Sequence, residues 1–219
     1  MKHLITLLIS LLFASCGQSQ KVDSTHNTDT IISETIHDNA VNDTVTLGGG
    51  CFWCVEAIYE MLEGVTSVQS GYSGGTKENA TYYKVSSGKT KHAEVIQIVF
   101  DTTKVSIYEV LEVFFSVHDP TTLNRQGADA GYQYRSVVFY KNEEQKQIVD
   151  DIIEELIEQK IYNKPIVTKV SKFETFYSAE QYHQDYYANN SSGSYCAAVI
   201  TPKIKKFKKL FADKVKSNK

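Results

Sequence analysis

The 219-residue sequence predicts one domain of mixed α and β structure over residues 44–219, preceded by a leader and a polar tether. Three observations predict it. Period-two alternation marks strands, the first at Thr44-Val45-Thr46-Leu47 and the strongest from His92 to Phe100. Apolar residues three and four apart mark helices near Val55, Ser106 and Glu143. No internal repeat or second boundary interrupts the stretch, and its length suffices for one ordinary core. The formal net charge of -3 argues for no particular partner, and nucleic acid is not expected.

Residues 1–16 read MKHLITLLISLLFASC. Lys2 and His3 are a basic start, Leu4 to Phe13 an apolar run too short to cross a bilayer, and Ala14-Ser15 a small-residue cleavage site. Residues 1–15 therefore read as a secretory signal. Phe13-Ala14-Ser15-Cys16-Gly17 resembles a bacterial lipoprotein box, with Phe13 where Leu is preferred, so Cys16 is the expected lipidated residue. A plain cleaved signal is the alternative. Acyl chains on Cys16 would hold the protein on a membrane of the bacterial cell envelope, facing periplasm or exterior. Residues 16–43 are rich in Ser, Thr, Asp, Asn and Gln and read as a flexible tether.

The chain is organised around Gly48-Gly49-Gly50-Cys51-Phe52-Trp53-Cys54. The half-buried strand at Val45 and Leu47 precedes it, and Val55, Ile58, Tyr59 and Leu62 follow at helical spacing up to Gly64. The glycines thus turn a strand into a helix that starts at Cys51. Free N–H groups and the helix dipole favour an anion there, so Cys51 is expected to be partly thiolate and nucleophilic. Cys54, three residues on, shares its helix face and makes a redox pair; two small buried hydrophobes are the bland reading. Phe52 and Trp53 read as exposed. With the leader removed three cysteines remain, which suits a thiol relay better than a disulfide scaffold.

Val65 to Tyr72 reads as a strand, and Lys77 to Lys91 as a polar loop carrying Tyr82 and Tyr83. Fourteen tyrosines in the chain make any one of them more often packing than function. In the next strand, Glu94 shares a face with Ile96, Ile98 and Phe100. A carboxyl on an apolar face stays protonated near neutral pH and is a general-acid candidate. A strand-end carboxylate that bends back to solvent or pairs with Arg125 or Arg135 is the equal alternative. Ser106 to Glu109 forms a capping box for a buried helix that ends at His118-Asp119-Pro120. The loop Leu123 to Arg135 is Gly-rich and polar, as functional loops are.

Ser136 to Tyr140 reads as a strand, and Glu143 to Lys160 as a helix with Ile148, Ile152, Leu156 and Ile157 inward. Ile166 to Val170 is a strand, and Phe173 to Tyr187 an aromatic stretch of core and rim. After Tyr195-Cys196, a lysine-rich tail places Ile204, Phe207, Phe211 and Val215 on a docked helix with its lysines in water. Contact of those lysines with anionic lipid or an acidic partner is the second choice.

Gly49-Gly50-Cys51-Phe52-Trp53, Thr81-Tyr82, Gly88 to Glu94, His118 to Thr121, Gln126 to Asp129 and Gln133 to Ser136 together resemble peptide methionine sulfoxide reductase of the A type, over about residues 45–200. The resemblance implies an α+β fold, a two-layer ferredoxin-like sandwich whose mostly antiparallel sheet is flanked by helices. It implies reduction of the S epimer of methionine sulfoxide, free or in oxidised proteins, without cofactor or metal. Cys51 would attack the sulfoxide sulfur and Glu94 protonate its oxygen, with Tyr82 and Tyr134 donating to that oxygen. Phe52 and Trp53 would receive the S-methyl group, with Asp129 at the site. A sulfenic acid on Cys51 would condense with a second thiol, and thioredoxin or a thioredoxin-like protein would reset the enzyme. Cys54, Ala80, Lys91 and Tyr132 depart from the family's usual Gly, Pro, Gly and Thr. The expected order is resolution by Cys54, then transfer to Cys196, which resembles tail resolving cysteines of the family.

Two other classes compete. A thioredoxin-like oxidoreductase would use Cys51 and Cys54 but leave Glu94 and the tyrosines idle. A metal-binding module would recruit His92, His118 or His183, whose dispersion is unlike paired zinc-ligand spacing.

Overall fold

The computed structural model describes residues 41–217; the signal, Cys16 and nearly all of the tether lie outside them. Strand β1 (Asn42–Gly49) starts slightly before the expected boundary and runs into helix α1 (Phe52–Tyr59) through Gly50. Strands β2 (Val65–Ser73) and β3 (Ala93–Asp101) follow, separated by the short helix α2 (Tyr82–Ser86) inside the stretch read as loop. Helix α3 (Ile107–Val117) leads through the two-residue strands β4 (Arg125–Gln126) and β5 (Asp129–Ala130) to β6 (Ser136–Tyr140). Helix α4 (Glu143–Glu158), β7 (Lys169–Lys172), β8 (Phe176–Ser178), α5 (Tyr186–Asn190) and α6 (Thr201–Leu210) complete the order.

Six strands form one sheet in the order β7-β6-β1-β3-β2-β8. All its pairs are antiparallel except β6 with β7. The architecture is α+β. Side chains alternate across the sheet, so Ile96, Ile98 and Phe100 face α1 and α3 while Val95, Val137 and Phe139 join Phe173 and Phe176 on the other face. Covering on both sides corrects one expectation: β1 is central, and Thr46 is as buried as its apolar neighbours. Gln97 Nε2 satisfies the Thr46 hydroxyl at 3.4 Å.

The capping box forms as read: Ser106 Oγ accepts from the Glu109 N–H at 3.2 Å and Glu109 Oε2 accepts from the Ser106 N–H at 2.8 Å. Buried Tyr59 donates its phenol to the Val110 carbonyl at 2.7 Å, joining α1 to α3. Three readings of exposure or boundary change. Ile157 is 57 % exposed, because five residues beyond buried Ile152 lies about 140° round a helix. Strand β7 begins at Lys169, not Ile166, since its ladder partners on β6 start at Val137 and the Val167 N–H donates instead to the Pro120 carbonyl. In the tail Ile204, Phe207 and Phe211 are buried as expected, but α6 ends at Leu210, so Phe211 and Val215 lie beyond the helix, Lys206 donates to the Ser116 carbonyl and Lys214 pairs with Glu109 at 2.7 Å. No helix among the described residues is long and apolar enough to cross a membrane.

Phe207 is fully buried between α6 and the main core. Phe207→Ala should destabilise the fold by about 3–5 kcal/mol in urea unfolding. A loss below about 1 kcal/mol would show that the tail helix contributes no core.

Candidate active site

The β1–α1 turn sets the geometry. Gly50 adopts φ +96°, and a Cβ on it would lie 2.6 Å from Gln126. Gln126 is fixed in turn by two bonds to the Asp119 backbone, accepting from its N–H at 3.0 Å and donating to its carbonyl at 2.5 Å. The turn places Cys51 at the N-cap of α1, 6 % exposed. Glu94 lies opposite on β3, 2 % exposed, and its Oε2 accepts the Phe52 N–H at 3.2 Å.

That bond changes the electrostatics expected at Cys51. The first free N–H of the helix goes to a carboxyl, not to sulfur. Burial pushes the Cys51 thiol well above its ordinary range, with Cys54 and then Glu94 adding to the shift. Cys54 is brought down to about 7, chiefly by hydrogen bonding from Cys51 and against burial, with Lys203 assisting. As the site stands Cys51 is therefore a thiol, contrary to the sequence expectation of partial thiolate. Glu94 is pushed up to about 8 by burial, with Asp129 and Cys54 adding, while the Phe52 N–H works the other way. It carries its proton at neutral pH. The alternative of an arginine partner does not arise: Arg125 and Arg135 donate to backbone carbonyls.

A cavity of about 150 Å³ is lined by Cys51, Phe52, Trp53, Tyr82, Glu94, Asp129, Tyr134 and Tyr195. All seven residues read from the sequence as nucleophile, acid, oxygen donors and substrate wall meet there. Tyr82 opens α2, its N–H held by Glu180 Oε1 at 2.9 Å. Tyr134 sits on the turn after Gly131, and neighbouring Gln133 donates to the Ser86 carbonyl at 3.2 Å, tying that turn to the end of α2. Burial pushes both phenols upward, so each remains a donor. Larger clefts exist, one of about 540 Å³ beside His118 and Lys203, but it has no thiol.

Phe52 is 1 % exposed and Trp53 partly buried, correcting the reading of both as exposed. The Trp53 indole stacks on Tyr186 at 3.6 Å and 7° and donates Nε1–H to His183 Nδ1 at 3.2 Å. Glu56, one turn along α1, accepts from Ser70 Oγ at 3.0 Å and from the Tyr186 N–H at 3.3 Å, holding the stacked tyrosine. Sequence reasoning missed Tyr195, His183 and Tyr186 as site residues. Their signal, adjacency to Cys196 and an aromatic run, was no stronger than that of other tyrosines.

Tyr195 donates to Asp129 Oδ2 at 3.0 Å and lies 3.9 Å from Cys54 Sγ. Cys51, Cys54 and Cys196 are all reduced and buried. Cys196 opens a π-helical turn, Cys196–Ile200, ahead of α6. The histidines of the metal-module reading are engaged separately: His92 with the Thr76 carbonyl, His118 with Phe114 and Ser136, His183 with Trp53. Among the described residues no three His, Cys, Asp or Glu side chains are grouped to hold a metal ion.

A family profile described as Peptide methionine sulfoxide reductase matches residues 43–215. A Saccharolobus solfataricus protein called Peptide methionine sulfoxide reductase MsrA is 55 % identical over 174 residues, 80 % of this chain and 97 % of that one. A Trichodesmium erythraeum protein of the same description is 50 % identical over 173 residues, 79 % of this chain and 98 % of its own. The crystal structure of reduced Mxr1 from Saccharomyces cerevisiae aligns with TM-score 0.66 and 33 % identity over 73 % of this chain and 91 % of that one. Methionine sulfoxide reductase A of Corynebacterium diphtheriae aligns with TM-score 0.61 and 30 % identity over 69 % and 76 %. With a buried thiol facing a protonated carboxyl and this likeness along nearly the whole described region, the chain belongs to the peptide methionine sulfoxide reductase A family and is an oxidoreductase.

Proposed function

We propose that the protein reduces the S epimer of methionine sulfoxide, free and in oxidised proteins, by oxygen transfer to Cys51. The observation that carries this is the protonated Glu94 sharing one cavity with the Cys51 thiol. A sulfoxide oxygen leaves sulfur only when protonated, so a neutral acid beside a sulfur nucleophile is the required pair. Phe52 and Trp53 receive the S-methyl group, Asp129 and Tyr195 close the polar side, and the Tyr82 and Tyr134 phenols donate to the oxygen. Cys54, partly thiolate near neutral pH, takes the Cys51 proton as the Cys51 sulfur attacks the sulfoxide sulfur. Glu94 gives its proton to the oxygen, the hydroxyl passes from the substrate sulfur to the Cys51 sulfur as the bond between the two sulfurs breaks, methionine leaves with that electron pair and Cys51 becomes a sulfenic acid.

Cys54 then attacks the Cys51 sulfur, water departs, and a Cys51–Cys54 disulfide forms. Cys196 exchanges onto Cys54 and frees Cys51, and thioredoxin or a thioredoxin-like dithiol reduces the second disulfide. The Cys54 N–H donates to the Cys51 carbonyl at 3.1 Å in the first turn of α1, and this adjacency supports Cys54 as the first resolver. The expected ferredoxin-like sandwich is supported by the order β6-β1-β3-β2 with α1 and α3 as crossovers. Lipidation of Cys16 and attachment to the bacterial cell envelope rest on the sequence of residues 1–17.

With dithiothreitol and a mixed-epimer substrate, chiral chromatography should show loss of the S epimer alone, abolished in Cys51→Ser. Consumption of neither epimer would sink the reading. In single-turnover oxygen transfer, Glu94→Gln should slow the reaction by about 10²–10⁴-fold. An acid must be protonated to donate, so the wild-type rate should decline above pH about 8, and the variant should lack that limb; a separate fall below pH about 7 belongs to Cys54. An unchanged profile would remove Glu94 from the chemistry. Cys54→Ser, which loses the proton acceptor, should slow the first oxygen transfer and stop rapid disulfide formation at Cys51, whereas Cys196→Ser should leave both intact and slow reduction by thioredoxin. Trapping the first disulfide in each variant decides the order.

A further inference from the structure

On the sheet face away from α1 and α3, β6 and β7 floor a second cavity, of about 310 Å³, to which the reductase chemistry assigns nothing. Arg135, Lys91, Lys169 and Lys172 line it against one carboxylate, Glu174. Arg135 is 5 % exposed. Its Nη1 donates to the His92 and Tyr132 carbonyls at 3.1 and 2.9 Å, and its Nη2 to the Lys91 carbonyl at 3.1 Å. The Nε–H is buried and has no acceptor. No ion pair among the described residues includes any of the four cations. The Tyr132 ring, 4.0 Å from the guanidinium carbon, gives partial compensation through its π-face.

A buried guanidinium with three ammonium neighbours and no carboxylate of its own is costly in isolation. Carbonyl acceptors satisfy its Nη donors but leave the Nε–H unpaired and bring no opposite charge. We propose that this cavity binds a phosphate group, either free or carried by a lipid headgroup. The planar fork of an arginine matches a tetrahedral oxyanion, lysines supply compact charge around it, and a phosphate carries more than one negative charge near neutral pH. The volume also leaves room for a small substituent on the phosphate. Lys91 and Tyr132, two positions where this chain departs from the usual residues of its family, both line the cavity beside Arg135.

The test is isothermal titration of the full chain with sodium phosphate against sodium chloride at matched ionic strength. One saturable site per chain is expected, weakened at least tenfold in Lys91→Gly/Lys172→Gln and unchanged within twofold in Lys205→Gln/Lys209→Gln, which alters exposed lysines of α6. Phosphate should raise the wild-type Tm and leave that of the pocket variant unmoved, while matching Tm values without phosphate confirm that the variant folds. Co-sedimentation with phosphatidylcholine vesicles containing phosphatidic acid separates the sources. Retention that free phosphate competes away, and that the pocket variant loses, identifies a headgroup; phosphate binding without vesicle retention identifies the free anion. No saturable heat above the chloride control, or equal weakening in the α6 variant, overturns the site.

Discussion

The bond from the Phe52 N–H to Glu94 Oε2 is the constraint on which the site depends. It fixes the start of α1 against β3, and thereby fixes the sulfur against the acid. Its electrostatic effect is outweighed. A single backbone donor stabilises the carboxylate, yet burial still carries Glu94 up to about 8. An ionised Glu94 would oppose the negative charge that develops on the attacking sulfur. A neutral one supplies a proton and adds no charge of its own, so the burial that defers the thiolate also preserves the acid.

Such a site lowers stability as it gains chemistry. The folded chain keeps a proton on Glu94 that the unfolded chain releases above its ordinary value near 4.5, so the contribution of this group to stability falls as pH rises from about 4.5 to about 8. Glu56, pushed up to about 7 mainly by burial, acts in the same sense over a narrower window. Two such carboxyls near one short helix are offset by apolar packing around them. Tyr59, Phe52 and Tyr72 are fully buried, and Tyr59 and Tyr72 also bond their phenols to the Val110 carbonyl and to Glu180.

The legible parts of the sequence were those whose signal is local. The strand-glycine-helix turn at Cys51, the capping box at Ser106 and the alternation around Glu94 each depend on residues within one element, and each is present. Contacts across the fold left no such mark. Glu94 looked as able to pair with Arg135 as to stay neutral, because nothing local shows that Arg135 is occupied by the carbonyls of Lys91 and His92. Thiolate character was expected from the helix start alone; the carboxyl that takes the first helix N–H comes from a strand 42 residues away. His183 and Tyr186, which orient Trp53, lie 130 or more residues from it in the chain and offered no pattern beyond aromatic richness.

Cys196 adds a mechanical condition to the proposed relay. It is 1 % exposed, in a π-helical turn packed into the same core as Cys54, so a reductant outside the fold reaches it only after that turn moves. Tyr195 is the preceding residue, and its phenol bonds Asp129 at the cavity wall while lying against Cys54. Movement that exposes Cys196 therefore pulls Tyr195 from the substrate wall. On the proposed mechanism, oxygen transfer would use the turn closed and reductive recycling the turn open.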